Sequence, residues 1–261
     1  MRFFTMRIMT SNIWGDYFGN PVSVREGGLY SIFTRYSPDI LGFQEVTASW
    51  YKGDALKKLS EEYFFVGTEM FESKNFVPFC YKKSSGLDLI EKGYEYLADT
   101  PDISKGITWG VFKSDACAFA VCNTHFWWKE GKEHDRIREK NAKQLCERMQ
   151  YIRAKYSCPV FAMGDLNCTH LSTVFEVFSE NGVQKLFDKA VKKSDVCSHH
   201  GDPVKEKDGT YRGCRTQKGA ELSIDHILML GRAKVLQYTV VEDQEALDAT
   251  DHSPVFADVE L

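Results

Sequence analysis

The 261-residue chain lacks most of the features that would place it at once. Its eight cysteines (Cys80, Cys117, Cys122, Cys146, Cys158, Cys168, Cys197 and Cys214) fall singly, with no C-x-x-C pair and no zinc-type spacing. A thiolate zinc site or a disulfide framework therefore finds no support. Cys80, Cys117, Cys122 and Cys146 lie inside apolar runs and read as small buried hydrophobes, so the thiols are expected to be reduced and the protein cytoplasmic. No window approaches the ~20 apolar residues that a bilayer-spanning helix needs. Met1 to Arg7 likewise lacks the apolar stretch of about 7–15 residues typical of a signal peptide. A soluble intracellular chain with no membrane anchor is the expectation. An excess of one charge is missing too: the formal net charge is −4, which removes general attraction to polyanions as an argument for nucleic acid. It does not exclude such a substrate, since a bound cation and a few local basic residues can supply the attraction. No low-complexity linker or repeat interrupts the chain, and 43% hydrophobic with 13% aromatic residues is ample for a core. One domain over residues 1–261 is expected.

What is present is an alternation of strand-like and helix-like segments. Strands are expected at Met6 to Thr10, Ile40 to Phe43, Tyr63 to Val66, Val77 to Tyr81, Gly86 to Leu97, Thr108 to Lys113, Phe119 to Cys122, Val160 to Met163, Ile224 to Leu230, Val235 to Val241 and Val255 to Val259. Helices are expected at Leu29 to Tyr36, Ala48 to Leu59, Asp135 to Tyr156 and Leu171 to Phe178. The third of these carries Leu145, Met149, Ile152 and Tyr156 on one stripe. Ser194 to Lys218 is polar and Gly-rich and reads as a long surface loop.

Short polar clusters end several of the apolar runs: Ser11-Asn12, Gln44-Glu45, Thr124-His125, Asp165-Leu166-Asn167, then Ser223-Ile224-Asp225-His226 with Asp251-His252-Ser253. Nearly every side chain in them is a carboxylate, carboxamide or imidazole, the groups that hold a hard divalent cation and move protons around a phosphate. In an α/β sheet the strand ends at one edge share a crevice, so one metal-dependent phosphoesterase centre is expected. Glu45, closing an apolar strand, suits a fixed oxygen ligand for Mg²⁺. His125 suits donation to a phosphoryl oxygen or a leaving group. Gly164 permits a sharp turn, after which Asp165 and Asn167 point the same way; the acid can take a proton from water and the amide can hold a developing oxyanion. Asp251 can bind metal while His252 stabilises the transition state, with Asp225 holding the imidazole through its other nitrogen. Trp127 and Trp128 can stack on a base or ring. Each cluster alone has a bland explanation as a turn or a strand end; their joint occurrence after strands does not.

These motifs, T-S-N-I-W-G, G-F-Q-E-V, N-T-H-F, M-G-D-L-N, S-I-D-H-I and T-D-H-S-P-V, resemble in order those of the endonuclease/exonuclease/phosphatase superfamily, which includes deoxyribonuclease-I-like nucleases and inositol-polyphosphate 5-phosphatases. The resemblance runs from Asn12 to Phe256. It implies a four-layer α/β sandwich of two packed mixed β-sheets flanked by helices. It also implies Glu45 as the main metal ligand with Asn12 and Asp251 close to the ion, and His125 and Asn167 on the scissile phosphate. Asp165 would handle the nucleophilic water, and Asp225 would pair with His252. The implied cofactor is Mg²⁺, with Mn²⁺ able to replace it, and the implied partner is a phosphoester substrate. The chain departs from the family's pattern at Asn75 (often Glu), Val77 (often Asn), the arginine-free segment Ser104 to Trp109, and Ser223 (often Arg or Lys). These departures bear on the acid partner of His125 and on the phosphate clamp. A nuclease acting on DNA or RNA would draw on Trp127, Trp128 and on Lys129, Lys132, Arg136 and Arg138, although those four are also what the outer face of a helix carries. A phosphatase or phosphodiesterase on a small molecule such as an inositol phosphate or lipid head group fits the near-neutral charge equally well, and a non-catalytic binding protein on the same fold is a third reading.

Overall fold

The computed structural model describes residues 4–68 and 75–261. The strands are β1 (Thr5–Asn12), β2 (Ile40–Gln44), β3 (Tyr63–Val66), β4 (Phe79–Lys82), β5 (Asp88–Tyr96), β6 (Gly106–Lys113), β7 (Ala118–His125), β8 (Val160–Asp165), β9 (Val183–Lys185), β10 (Lys192–Lys193), β11 (Val204–Lys205), β12 (Tyr211–Arg212), β13 (Asp225–Leu230), β14 (Lys234–Val240) and β15 (Val255–Glu260). The helices are α1 (Val22–Tyr36), α2 (Ala48–Lys52), α3 (Asp54–Glu62), α4 (Lys132–Tyr156), α5 (Val174–Glu180), α6 (Leu186–Lys189) and α7 (Gln244–Ala249). One large sheet runs β10-β14-β15-β1-β2-β4-β3 and the other β5-β6-β7-β8-β13-β9, with β11-β12 a separate two-stranded ribbon. Each is mixed, with a parallel pair at its centre: β1 with β2, and β7 with β8.

Alternation along the central strands builds the layers. In β8, Phe161 and Met163 join the core between the sheets, while Val160 and Ala162 face the opposite way under α4 and α5. In β2, Ile40 faces the inter-sheet core, whereas Leu41 and Phe43 pack with Leu29, Phe33 and Trp50 under the other helical layer. Strands buried on both faces read as continuous apolar runs, which is why they stood out. The result is helices, sheet, sheet, helices: the expected four-layer α/β sandwich. All eight cysteines are free. Among the described residues no helix is long and apolar enough to cross a membrane.

Several helices depart from their expected bounds for local reasons. α1 begins seven residues earlier than read, through the Gly27-Gly28 pair, because the Val22 N–H donates to Asp16 Oδ1 at 2.8 Å. Gly28 also lets α7 approach, since a Cβ there would press on the Glu245 carbonyl oxygen at 3.2 Å. The single helix expected over Ala48 to Leu59 is split at Gly53, and Glu26 accepts from the Ala55 N–H at 3.1 Å to satisfy the second segment's free amides. α4 starts near Gly131 with Glu133 and Asp135 in its first turn and Arg153 and Lys155 in its last, charges that complement the helix dipole.

His226, although part of a polar cluster, turns away from the others. It is buried against Phe175 and His170, with Nε2 2.8 Å from the Cys168 carbonyl oxygen. Burial, then the neighbouring His170, pushes its imidazole down to about 3; burial and Lys185 push His170 down to about 4. Both rings fold neutral, whereas the unfolded chain takes up these protons below about pH 6.5. Their contribution to stability is present above pH 6.5 and is lost as the pH falls toward those values. His226 alone is expected to remove about 2 kcal/mol between pH 7 and pH 5. Urea denaturation should show His226→Phe flattening this acid slope.

Candidate active site

Strand register alone brings the chemistry to one edge of the sandwich. β7 and β8 run parallel with His125 opposite Asp165, and β13 pairs antiparallel with Asp225 opposite the same Asp165. In the other sheet β1 and β2 end with Asn12 opposite Gln44, followed directly by Glu45. The two sheets are tied there by Asn12 Nδ2, which donates to Asp165 Oδ2 at 3.1 Å. Beneath, Gln44 Nε2 donates to Asn123 Oδ1 at 2.7 Å, and Asn123 Nδ2 donates to the carbonyl oxygens of Phe43, Val77 and Pro78 at 2.8–3.0 Å. Gly164 lies within β8 rather than in the turn expected of it. At φ +149° a Cβ there would clash with the Thr124 carbonyl oxygen, so its bare Cα is what lets β7 and β8 close at the His125–Asp165 rung.

Five described non-glycine residues have a left-handed backbone. Ser37 and Ser157 cap helices, but Trp14, Glu45 and Asn167 (φ 51°, 60° and 48°) stand at this edge. Strain of this kind concentrates where a side chain must be aimed. Glu45 Oε2 accepts from the Gly15 N–H at 3.2 Å. Asn167 donates its backbone N–H to Asp165 Oδ1 at 2.8 Å and brings Nδ2 3.1 Å from His125 Nε2.

Protonation follows from the packing. Burial alone would raise Asp165, but the imidazoles of His252 and His125 hold it well below the usual carboxylate range; His125 Nε2 is 3.3 Å and His252 Nε2 3.9 Å from its Oδ2. Burial would likewise lower His252, yet the charges of Asp225, Asp251 and Asp165 raise it well above its ordinary value. His252 Nδ1 donates to Asp225 Oδ2 at 2.8 Å, which leaves Nε2–H free to donate elsewhere. Asp251 is pushed up to about 7 by burial, with Glu45 and Asp202 adding and His252 opposing.

A cavity of about 350 Å³ opens here, lined by Glu45, His125, Trp128, Asp165, Asn167, Asp251 and His252. Asn12 and Asp225 stand behind its wall, each bonded to a residue that forms it. Trp127 does not line the cavity. It is buried, and its indole N–H donates to His134 Nδ1 at 2.9 Å, whereas Trp128 is 54% exposed. Of the basic residues weighed beside them, Arg138 is buried, donating to the Trp127 and Lys129 carbonyl oxygens and paired with Asp135.

Sequence reasoning missed two contributors. The first is Lys105, in the segment marked as lacking an arginine: it is 5% exposed, with Nζ 2.9 Å from His125 Nε2 and 3.0 Å from Nδ1. Burial lowers its ammonium from the ordinary value, while Glu45, Asp165 and Asp102 oppose that. The other departures prove structural. Asn75 is buried and donates to the Gly67 carbonyl oxygen and to Thr108 Oγ1, while the carboxylate beside His125 is Asp165, at 3.3 Å. The second is the start of the expected surface loop, which runs inward: Ser198 is fully buried and donates through Oγ to Asp225 Oδ2 at 2.7 Å, and Ser223 accepts its N–H at 3.1 Å. His199 stacks edge-on against His252 at 4.8 Å. The signal was there in Val196-Cys197, apolar residues inside an otherwise polar run.

The donor set fits a hard cation. Glu45 and Asp251 are two of the carboxylates that line the cavity, and burial pushes the Asp251 carboxyl up. The Asn12 Oδ1 takes one hydrogen bond, from the Trp14 N–H at 3.0 Å, and keeps a second lone pair. Mg²⁺ takes oxygen ligands and commonly only one or two protein carboxylates. The groups His199/Asp251/His252 and Asp165/Asp225/His252 also each gather ligand atoms within 4.8 Å of one another, although the second is already bound up in the hydrogen bonds above.

Comparisons with known proteins bear on the fold and the family. No functionally curated protein matches the chain in sequence. Among solved structures it is similar to an endonuclease/exonuclease/phosphatase family protein from Bacteroides thetaiotaomicron, at 19% identity and TM-score 0.78, covering 100% of this chain and 99% of the other. It is similar to a mannosyl-6-phosphatase from the same organism at 20% identity and TM-score 0.74, covering 97% and 99%. It is also similar to TDP2 from Caenorhabditis elegans at 17% identity and TM-score 0.72, covering 99% and 76%. At such identities the likeness is one of fold. The family model for the endonuclease/exonuclease/phosphatase family matches residues 9–252, a span that takes in every cluster at the cavity, and the chain belongs to that family.

Proposed function

We propose that the protein hydrolyses a phosphoester by in-line attack of water on phosphorus. The observation that supports this most strongly is the packing at one cavity edge: Asp165 Oδ2 lies 3.3 Å from His125 Nε2 and 3.9 Å from His252 Nε2, and His252 Nδ1 donates to Asp225 Oδ2 at 2.8 Å. Asp165 accepts a proton from the attacking water as the new O–P bond forms. His252 Nε2–H and the Asn167 amide donate to the non-bridging oxygens, whose negative charge grows in the transition state. His125, flanked by the Lys105 ammonium, stands where the leaving oxygen or a phosphoryl oxygen would lie, and Lys105 balances the phosphate charge from within the wall. The P–O bond to the leaving group breaks, and that oxygen departs to take up a proton. Glu45, Asp251 and the Asn12 carbonyl oxygen would hold Mg²⁺ or Mn²⁺, which when bound would draw charge from the phosphoryl and leaving oxygens.

Glu45→Gln removes a charged ligand but keeps the side chain's shape and an acceptor for the Gly15 N–H. Turnover of bis-p-nitrophenyl phosphate is expected to fall by at least about 10³-fold, with an unchanged circular dichroism spectrum. Chelator should abolish wild-type turnover and added Mg²⁺ or Mn²⁺ restore it. Full activity in chelator would refute the proposal, and no turnover with any divalent metal would favour a binding protein on this fold.

A further inference from the structure

We infer that the alcohol esterified to the scissile phosphate is a compact, neutral, hydroxyl-rich ring carrying a single phosphate group, rather than a nucleic-acid strand. The inference rests on the hydrolase reading above and concerns the rest of the cavity wall. Among the described residues Lys105 is the one lysine or arginine that lines it, buried and in no ion pair with a described carboxylate, although Glu45, Asp165 and Asp102 act on it from farther off. It can answer one phosphate. A strand would bring further phosphates past the mouth, where it would meet Asp102 and Asp202. Asp102 stands in the turn before Lys105, whose N–H donates to its carbonyl oxygen at 3.2 Å, and Asp202 follows the segment whose His200 N–H donates to the Asp251 carbonyl oxygen at 3.0 Å. Asp202 is exposed and makes no hydrogen bond among the described residues; Asp102 uses one oxygen for the Ser104 N–H at 2.8 Å and has another to offer.

Carboxylates placed so repel a polyanion and accept hydrogen bonds from hydroxyls. Between them, Tyr17 (37% exposed), Phe76 and Trp128 offer aromatic surface against which the C–H face of a ring can pack. The Tyr17 phenol stays neutral, because burial and the charges of Glu45, Asp102 and Asp16 raise it, so it can donate to a ring oxygen. A volume of about 350 Å³ is near the lower end for ligand cavities and suits one small ester.

The test compares kcat/KM, with Mg²⁺ at fixed low salt, for a hexose 6-phosphate, an inositol monophosphate, phenyl phosphate, p-nitrophenyl esters and a single-stranded oligonucleotide. A hydroxylated-ring monophosphate is expected to exceed both phenyl phosphate and the oligonucleotide by at least about 100-fold. Asp202→Lys should narrow the gap to the oligonucleotide by about tenfold and make oligonucleotide cleavage more sensitive to salt; Asp102→Asn should lower the ratio of hexose phosphate to phenyl phosphate by about tenfold. Metal-dependent turnover of p-nitrophenyl esters with the oligonucleotide preferred, or with no advantage for hydroxylated rings, would overturn this inference and leave the hydrolase reading standing. Absence of turnover on every substrate would overturn both.

Discussion

Asp165→Asn is expected to lower kcat by about 10²–10⁴-fold, the range a positioned proton acceptor supplies. The carboxylate is 1% exposed, and burial alone would favour its neutral form, yet His252 and His125 keep it ionised. Asparagine keeps an acceptor for the Asn167 N–H but cannot take the proton of the attacking water. Its amide would also turn a donor toward Asn12 Nδ2 or His125, both now within 3.3 Å of the carboxylate. The loss should fall on kcat rather than KM, because in the proposed mechanism the group acts on water and not on the bound ester. Combining Asp165→Asn with His252→Gln should cost much less than the product of the single effects, since the two stabilise each other's charge. Steady-state kinetics on the four proteins decides this. A fall of less than tenfold in the single variant would place proton acceptance elsewhere.

Arg25→Ala should produce the largest loss of stability among the site's supports. Its guanidinium is buried and donates to the carbonyl oxygens of Ile13 and Asn20 at 3.1 Å and to those of Trp14 and Ala249. Burial pushes it down to about 10, with Asp251 opposing, so it remains charged at neutral pH. It also lies 4.6 Å above the Trp14 ring. These contacts clamp the segment after Asn12 to the segment before Asp251, which puts two candidate metal ligands under one strut. Alanine strands four carbonyl oxygens at once, and a loss of about 3–5 kcal/mol is expected, or roughly 10 °C in the thermal transition. Activity at a temperature where the variant is folded should require more metal for half-saturation. Denaturant melts with metal titration separate the two effects.

The central strands were legible because burial on both faces makes them uninterrupted apolar runs, as at Val160 to Met163, and because each ends abruptly in polar residues. The candidate site was legible for the same reason: Asn12, Glu45, His125 and Asp165 are strand ends, and register does the rest. Short elements such as β9, α6 and α7 were not, since three to six residues hold too few turns of either period to register. Lys105 escaped notice because a lone lysine in a turn carries no pattern, and its role depends on the strand that follows it lying beside β7. Ser198 was hidden by composition. Its neighbours are polar, and only the pairing of the Ser253 N–H with its carbonyl oxygen at 2.7 Å, and of the His200 N–H with that of Asp251 at 3.0 Å, draws the segment under His252. Trp127 and Trp128 look equivalent on paper; helix α4 covers one and leaves the other in solvent.

The bond from Asn12 to Asp165 spans two leaves that are otherwise held mainly by apolar packing. The candidate cation ligands Glu45 and Asp251 hang from one leaf, with His252, while Asp165, the proposed proton acceptor, and His125 hang from the other. A sideways slip between leaves of a single ångström would therefore misalign nucleophile and phosphorus without breaking any strand, at a cost on the order of 10²-fold in rate. Under the proposed mechanism, side chains such as Phe161 and Ile8, deep in the filling and remote from the cavity, would act as spacers that calibrate the reaction.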